Sequence, residues 1–182
     1  DNKKHWYQSI NSPYSRALLL KNLLQQNSVC FDTETTSLDA LQTELVGIAF
    51  SWEESKGYYL VLPENRNETL AFLKPFKAFF EHTKIEKIGH NLKFDLKVLE
   101  NYNIKVKAPF FDTMIAHYLI NPDMRHNMNI LAETYLDYSP QSIKELIGKK
   151  GVNQGSMRDV PIENQTEYAL SLNTHLTLPT KA

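Results

Sequence analysis

The sequence predicts an α/β layered fold, with its strands leading and its helices trailing. Three observations predict it. Short apolar, β-branched and aromatic runs at 28–33, 44–52 and 57–62, and a fourth at 85–88, carry the strand signature. Beyond residue 90, apolar residues recur at helical spacing almost to the end of the chain. The chain has 182 residues, 42% hydrophobic and 23% charged, which suits one globular domain with a sizeable core.

In chain order, residues 1 to about 13 are polar around the isolated aromatics Trp6 and Tyr7 and include Pro13, and they read as a linker. Tyr14 to Gln26 carries leucines at 18, 19, 20, 23 and 24, an amphipathic helix that needs a surface to dock on. Such an entry points to a piece of a longer chain. After the run ending at Leu62 and Pro63 comes a polar loop, then a helical pattern through Leu70, Phe72, Leu73, Phe76, Phe79 and Phe80, which Pro75 kinks or divides. The 85–88 strand precedes helices near 91–102, 112–121, 127–136, 142–148 and 162–171. Residues 148–156 form a glycine-punctuated basic loop without the spacing of a nucleotide cradle, so they read as a surface connection.

The most informative stretch is Phe31-Asp32-Thr33-Glu34-Thr35, which follows the apolar run Ser28-Val29-Cys30-Phe31. Alternate residues of a strand share a face, so Asp32 and Glu34 are placed to share a divalent cation at the strand's end. A second signal is Gly89-His90-Asn91-Leu92-Lys93-Phe94-Asp95, where Leu92, Leu96 and Leu99 keep helical spacing. Asn91 either caps that helix or lies in its first turn, one turn before Asp95 on the same face. Asp112 is read as the N-cap of its own helix.

Together with Tyr168 in Glu167-Tyr168-Ala169, these stretches resemble, in order and separation, the three motifs of the DnaQ-like 3′ to 5′ exonucleases. The match is best to the proofreading domain of bacterial family A DNA polymerases and runs from about residue 28 to 169. The resemblance implies a ribonuclease H-like mixed central sheet flanked by helices, over a domain spanning 27–170. Residues 1–26 are then a linker and docking helix, and 171–182 an atypical tail.

The resemblance also implies two-metal hydrolysis with Mg²⁺ or Mn²⁺. Asp32 then bridges the cations, Glu34 serves the one that orients the attacking water, Asp95 anchors the other, and Tyr168 helps orient the water. Leu38 corresponds to an apolar wedge against the terminal base. Thr33, Thr35 and Asn91 correspond to positions that meet the substrate. His117, inside an apolar helical run, and His90 are read as structural.

The chain departs from the family at the third motif. Family members carry an aspartate one helical turn after the tyrosine, and here that residue is Leu172. The run from Leu170 to Thr180 holds no carboxylate. Glu163, Glu167 and His175 are the nearby substitutes, of which Glu167 points about 100° away from Tyr168 on a helix. Weak metal binding and low activity are the expectation.

The net charge of −1 gives no global basic field for duplex binding, although metals in an acidic pocket can meet phosphates instead. The single cysteine, Cys30, excludes an internal disulfide framework and sits in an apolar strand. There is no membrane-spanning run and no charged-then-apolar leader, and the cytoplasm is the expected compartment. The function expected is therefore a 3′ to 5′ proofreading exonuclease domain, acting on single-stranded or frayed 3′ ends of DNA beside a polymerase domain. The alternatives are a catalytically weakened or inert DNA-binding scaffold with the same fold and a ribonuclease D type RNA exonuclease.

Overall fold

The computed structural model describes residues 5–149, 151 and 154–174, with Leu172 described by its backbone alone. Its strands are β1 (Trp6–Ile10), β2 (Ser28–Thr35), β3 (Leu45–Glu53), β4 (Lys56–Val61), β5 (Glu86–Gly89) and β6 (Phe110–Asp112). They form one mixed sheet in the order β1-β4-β3-β2-β5-β6. β2 lies inside it, antiparallel to β3 and parallel to β5. The helices are α1 (Pro13–Leu23), α2 (Arg66–Leu73), α3 (Lys77–Phe80), α4 (Leu92–Glu100), α5 (Thr113–Ile120), α6 (Met128–Leu136), α7 (Ile143–Ile147) and α8 (Ile162–Asn173).

Strand register sorts the side chains between two layers. Phe31, paired with Phe50, belongs to the main core, where Val29, Ile48, Leu60, Phe76, Phe79, Phe80, Val98 and Leu99 also lie buried under the α1–α4 side. Asp32 pairs with Ala49, and Ala49 with Tyr59; those two partners pack with Ala169 and Leu170 of α8. Directly paired residues share a face, so Asp32 and Glu34 lie on the α8 side and Phe31 and Thr33 on the α1–α4 side. The sheet is thus buried on both faces around β2, which explains the nearly unbroken apolar run at its start.

The segment expected as a linker enters the sheet instead. Trp6–Ile10 adds parallel to β4, from Trp6↔Lys56 to Ile10↔Leu60, and Ile10 is buried. Its polar look is that of an edge strand, half of which stays open to water. Pro13, read as a break, is the first residue of α1, where its missing N–H costs nothing. Ser12 caps that helix by accepting from the Ser15 N–H at 3.1 Å. Pro75 does divide the next helical pattern: α2 ends at Leu73 and a 3-10 turn over Lys74–Phe76 leads into α3.

Two internal features hold the central strands. Lys87 of β5 is wholly buried, and its ammonium donates to the carbonyls of His82 and, at 2.9 Å, Lys107. Burial lowers its pKa to about 8. Gly47 of β3 faces the Tyr59 ring so closely that a Cβ there would lie 2.2 Å from the phenol oxygen. Gly47→Ala must push that ring out of its site, and we expect it to destabilise the chain by about 1–3 kcal/mol in urea unfolding. Gly155→Ala, whose Cβ would meet nothing nearer than 3.5 Å, should have a much smaller effect; equal effects would mean that the Tyr59 contact is soft.

Candidate active site

Asp32 and Glu34 stand at the carboxyl end of β2, on the face covered by α8. Asp32 is half-buried and Glu34 is buried. Their face-mates are small: Asp32 pairs with Ala49 and Glu34 with Gly47, over which the Tyr59 ring packs.

Asp95 arrives from α4 and is 2% exposed. The turn that aims α4 is tight. A Cβ on Gly89 would lie 2.5 Å from Leu92 Cδ2 and 3.2 Å from the Phe31 carbonyl, so only glycine lets the helix start this close to β2. Asn91 follows in the left-handed conformation, φ 61° and ψ 46°, which asparagine tolerates well. Asn91 makes no side-chain cap bond. The cap is Asp112, whose carboxylate accepts from the N–H groups of Asn91 (3.1 Å) and Leu92 (2.9 Å) while also capping α5 at Met114 (2.9 Å). The expectation that Asp112 caps only its own helix is therefore too narrow, since one carboxylate on β6 fixes the starts of two helices.

Tyr168 is carried by α8, which a buried amide locks to the sheet. Tyr59 donates its hydroxyl to Gln165 Oε1 at 2.8 Å, and Gln165 Nε2 donates to the carbonyls of Met157 (3.0 Å) and Val160 (2.8 Å). Gln165 lies one turn before Tyr168 on the same face. Tyr168 itself is half-buried and packs on Val46, Met157 and Val160.

These four groups feel one another. Burial raises the pKa of Asp32 well above the usual carboxylate range, and Glu34 raises it further. Glu34 is raised by burial and then by Asp95, and Asp95 by burial and then by Asp32, against two hydrogen bonds from Thr33 that lower it. The Tyr168 phenol is raised by burial and by both Glu34 and Asp32, so it stays protonated. Three hard oxygen donors in a poorly solvated place are the chemistry of a divalent-cation site, and the donor set fits one. Among the described residues no three such side chains already form a closed metal cluster; Asp95 is held instead by Thr33, whose N–H (3.0 Å) and hydroxyl (2.5 Å) both donate to Oδ1.

Other expected residues are distributed differently. Thr33 was expected to meet substrate, yet it is buried on the α4 side and its hydroxyl is spent on Asp95. Thr35 donates its hydroxyl to the Ser37 carbonyl at 2.9 Å, shaping the loop after β2. That loop is pinned by Ser37 N–H to Thr43 Oγ1 (2.8 Å) and Thr36 N–H to the Glu44 carbonyl (3.0 Å). Leu38 at its tip is 88% exposed, and Leu41, which the sequence reading passed over, is 73% exposed. Asn91 is exposed beside the site.

His90 bonds to Thr113 Oγ1 (2.9 Å) and donates to the His126 carbonyl (2.6 Å), while buried His117 meets His126 and Tyr135, so both are structural. Glu163 and Glu167 are exposed, and Glu167 lies near the phenol of Tyr7 on β1, which burial raises and Glu167 raises further. The side chain of Leu172, and Lys150, Val152, Asn153 and His175, lie outside the described residues.

A sequence family described as 3′-5′ exonuclease matches residues 7–180. DNA polymerase I of Borreliella burgdorferi is 33% identical over 167 residues, 90% of this chain and 18% of the relative. DNA polymerase I of Pseudomonas aeruginosa is 34% identical over 160 residues, 82% of this chain and 17% of the relative. The chain thus spans less than a fifth of the curated relatives' length. Among solved structures, Escherichia coli RNase D, an exoribonuclease, superposes with a TM-score of 0.71 at 20% identity, over 93% of this chain and 42% of that one. Brucella melitensis NrnC with bound Mg²⁺ gives 0.68 at 22%, over 95% of this chain and 76% of that one. These distant likenesses show the fold, a ribonuclease H-like α/β sheet. The exonuclease family depends on divalent metal.

The raised carboxylates predict a pH dependence of folding. A carboxyl whose folded pKa is raised contributes stability that is full below its unfolded value and is lost as pH rises through the folded one. In chelator, the chain should therefore lose stability between about pH 4 and about pH 8, the value to which Asp32 and Glu34 are raised. Asp32→Asn should flatten that slope, and excess Mn²⁺ should reverse it. Thermal unfolding across this range checks both; an unchanged slope in Asp32→Asn would mean that the carboxylates are well solvated.

Proposed function

The chain belongs to the 3′-5′ exonuclease family, and from that premise we propose that it hydrolyses the last phosphodiester of single-stranded or frayed 3′ ends of DNA, releasing nucleoside 5′-monophosphates. The mutual electrostatic influence of Asp32, Glu34, Asp95 and Tyr168, drawn from β2, α4 and α8, supports this most directly. Asp32, Glu34 and Asp95 would hold Mg²⁺ or Mn²⁺, which would supply the charge for neutralising phosphoryl oxygens, activating water and stabilising the leaving 3′ oxygen.

The chain's own groups then have separate tasks. Asp32 and Glu34 offer oxygens from one strand face, and Asp95 adds a third from the helix beyond β5. Tyr168, protonated, donates a hydrogen bond that orients the attacking water. Leu38, on the exposed loop after β2, would meet the terminal base, and exposed Asn91, before α4, the sugar-phosphate backbone. The α8 packing excludes bulk water from the sheet side. We place the polymerase domain of the parent chain as the partner that delivers the 3′ end, and the cytoplasm as the compartment; no helix among the described residues is long and apolar enough to cross a membrane. We take the domain to run from β1 to the end of α8: Ser171, Asn173 and Thr174 are buried, so the boundary expected after 170, with 171–182 an atypical tail, falls inside a helix.

DNA is favoured over RNA because the relatives above 30% identity are DNA polymerases, whereas the RNase D likeness reaches only 20%. The second reading, an inert scaffold, draws on Leu172 alone, since an apolar residue there removes one of four expected metal-site carboxylates.

Asp32→Ala should abolish Mn²⁺ uptake in calorimetry, whereas Asp39→Ala should leave it intact. On 3′-labelled oligonucleotides, single-stranded DNA should be trimmed faster than blunt duplex and faster than matched RNA. Faster RNA trimming would move the assignment to the ribonuclease D type. Leu172→Asp should raise Mg²⁺-dependent release by orders of magnitude, each tenfold requiring about 1.4 kcal/mol of barrier lowering. Leu172→Asn is the control of similar size. If Asp and Asn behave alike, the charge is not what position 172 lacks, and the inert-scaffold reading is the better one.

A further inference from the structure

We propose that Thr33, the residue between the two strand carboxylates, is a positioning residue that clamps Asp95 in the orientation the metal site requires. The inference rests on the metal-dependent reading above and assigns a task to a residue that reading leaves idle.

Register places Thr33 on the opposite face from Asp32 and Glu34, in line with Ile48 and Leu60 of the main core. It is 7% exposed, so its side chain has no route to substrate. What it touches is Asp95, 62 residues away in sequence. Two donors of one residue, the backbone N–H at 3.0 Å and the hydroxyl at 2.5 Å, converge on the same oxygen, Oδ1. The other oxygen lies outside this clamp.

The N–H is free to do this because β5 pairs with β2 only as far as Cys30↔Ile88 and ends at Gly89. A strand of the sheet thus stops one step short, and the side chain of α4 takes the vacated donor.

The clamp answers a physical problem. Asp95 faces the negative charge of Asp32. An unanchored carboxylate would swing away from that repulsion, or take a proton, and either change would present the wrong atom to a cation. Donors on one oxygen oppose the swing and leave the second oxygen to ligate. A neighbour that fixes a ligand in this way is commonly worth ten- to a hundredfold in metal affinity. Threonine meets the need at little cost, since its β-branched side chain also suits a strand.

The test uses the whole chain with Mn²⁺ as the probe, in calorimetry, and single-stranded 3′-labelled DNA in steady-state kinetics. Thr33→Val keeps the shape and removes only the hydroxyl; Thr33→Ser keeps the hydroxyl. Thr33→Val should weaken Mn²⁺ binding about tenfold and lower kcat with little change in KM, while Thr33→Ser stays close to the parent. In the Asp95→Asn background, Thr33→Val should add almost nothing, because its action passes through that carboxylate. The inference is overturned if Thr33→Val binds Mn²⁺ like the parent while Asp95→Asn does not, or if Thr33→Ser is as weak as Thr33→Val. Should the parent chain itself take up no Mn²⁺, the metal reading fails and the clamp falls with it.

Discussion

Like-charge crowding at the end of β2 is the constraint on which the rest of the structure depends. Asp32, Glu34 and Asp95 are brought close enough to raise one another's pKa, in surroundings too dry to dissipate the charge. Folding does not favour such an arrangement, because each carboxyl must either take a proton or find a cation. Rigid elements must therefore hold the three in place. β2 does so for two of them, as an interior strand with pairs on both sides. α4 does so for the third, aimed by Gly89, a left-handed Asn91 and a cap from Asp112. The cost of the acidic cluster is met by packing elsewhere, above all by the phenylalanines beneath β2 and β3.

Much of this was legible in the sequence because it is local. Alternation puts Asp32 and Glu34 on one face wherever a strand forms; helical spacing does not relate Asp95 to Asn91, which stands before α4 in the left-handed conformation and is exposed while Asp95 is buried. The six strand and helix runs read after residue 85 needed only shifts of a residue or two at their ends; β6 was not among them. What stayed hidden was long-range. β1 looks like a linker because its register with β4 cannot be read from five residues of which only Ile10 is buried. β6 is three residues long, too short for any period to show. Asp112 reads as one cap and serves two, since its second partner is 20 residues earlier in the chain. Lys87 reads as the polar member of a strand, and only the carbonyls of His82 and Lys107 explain its burial.

Thr33 shows the same limit at the site itself. A threonine between two candidate ligands suggests a substrate contact, and alternation alone already argues against that by turning it to the far face. Its actual partner follows from where β5 stops, a fact of the sheet that no pattern within residues 28–35 contains.

α8 completes the reasoning, because it is the last element placed and the one that closes the acidic face. Its position is fixed by a short chain of contacts: Gly47 leaves space for the Tyr59 ring, Tyr59 donates to Gln165, and Gln165 ties the helix to the turn at Met157–Asp159. Tyr168 sits one turn beyond that lock, and position 172 one turn beyond Tyr168. Distance from the lock orders the two. Tyr168 inherits its place directly from Gln165 and packs on Val46, whereas a side chain at 172 depends on the last turn of α8. A carboxylate at 172 would consequently act only if that turn stays closed on β2. That turn is well seated: Asn173 and Thr174 are each 1% exposed, Asn173 donates to the Cys30 carbonyl at 3.5 Å, and Thr174 bonds to the Tyr7 hydroxyl at 3.3 Å. Docking is thus already supplied at this end of the site, which leaves charge as what a leucine at 172 withholds.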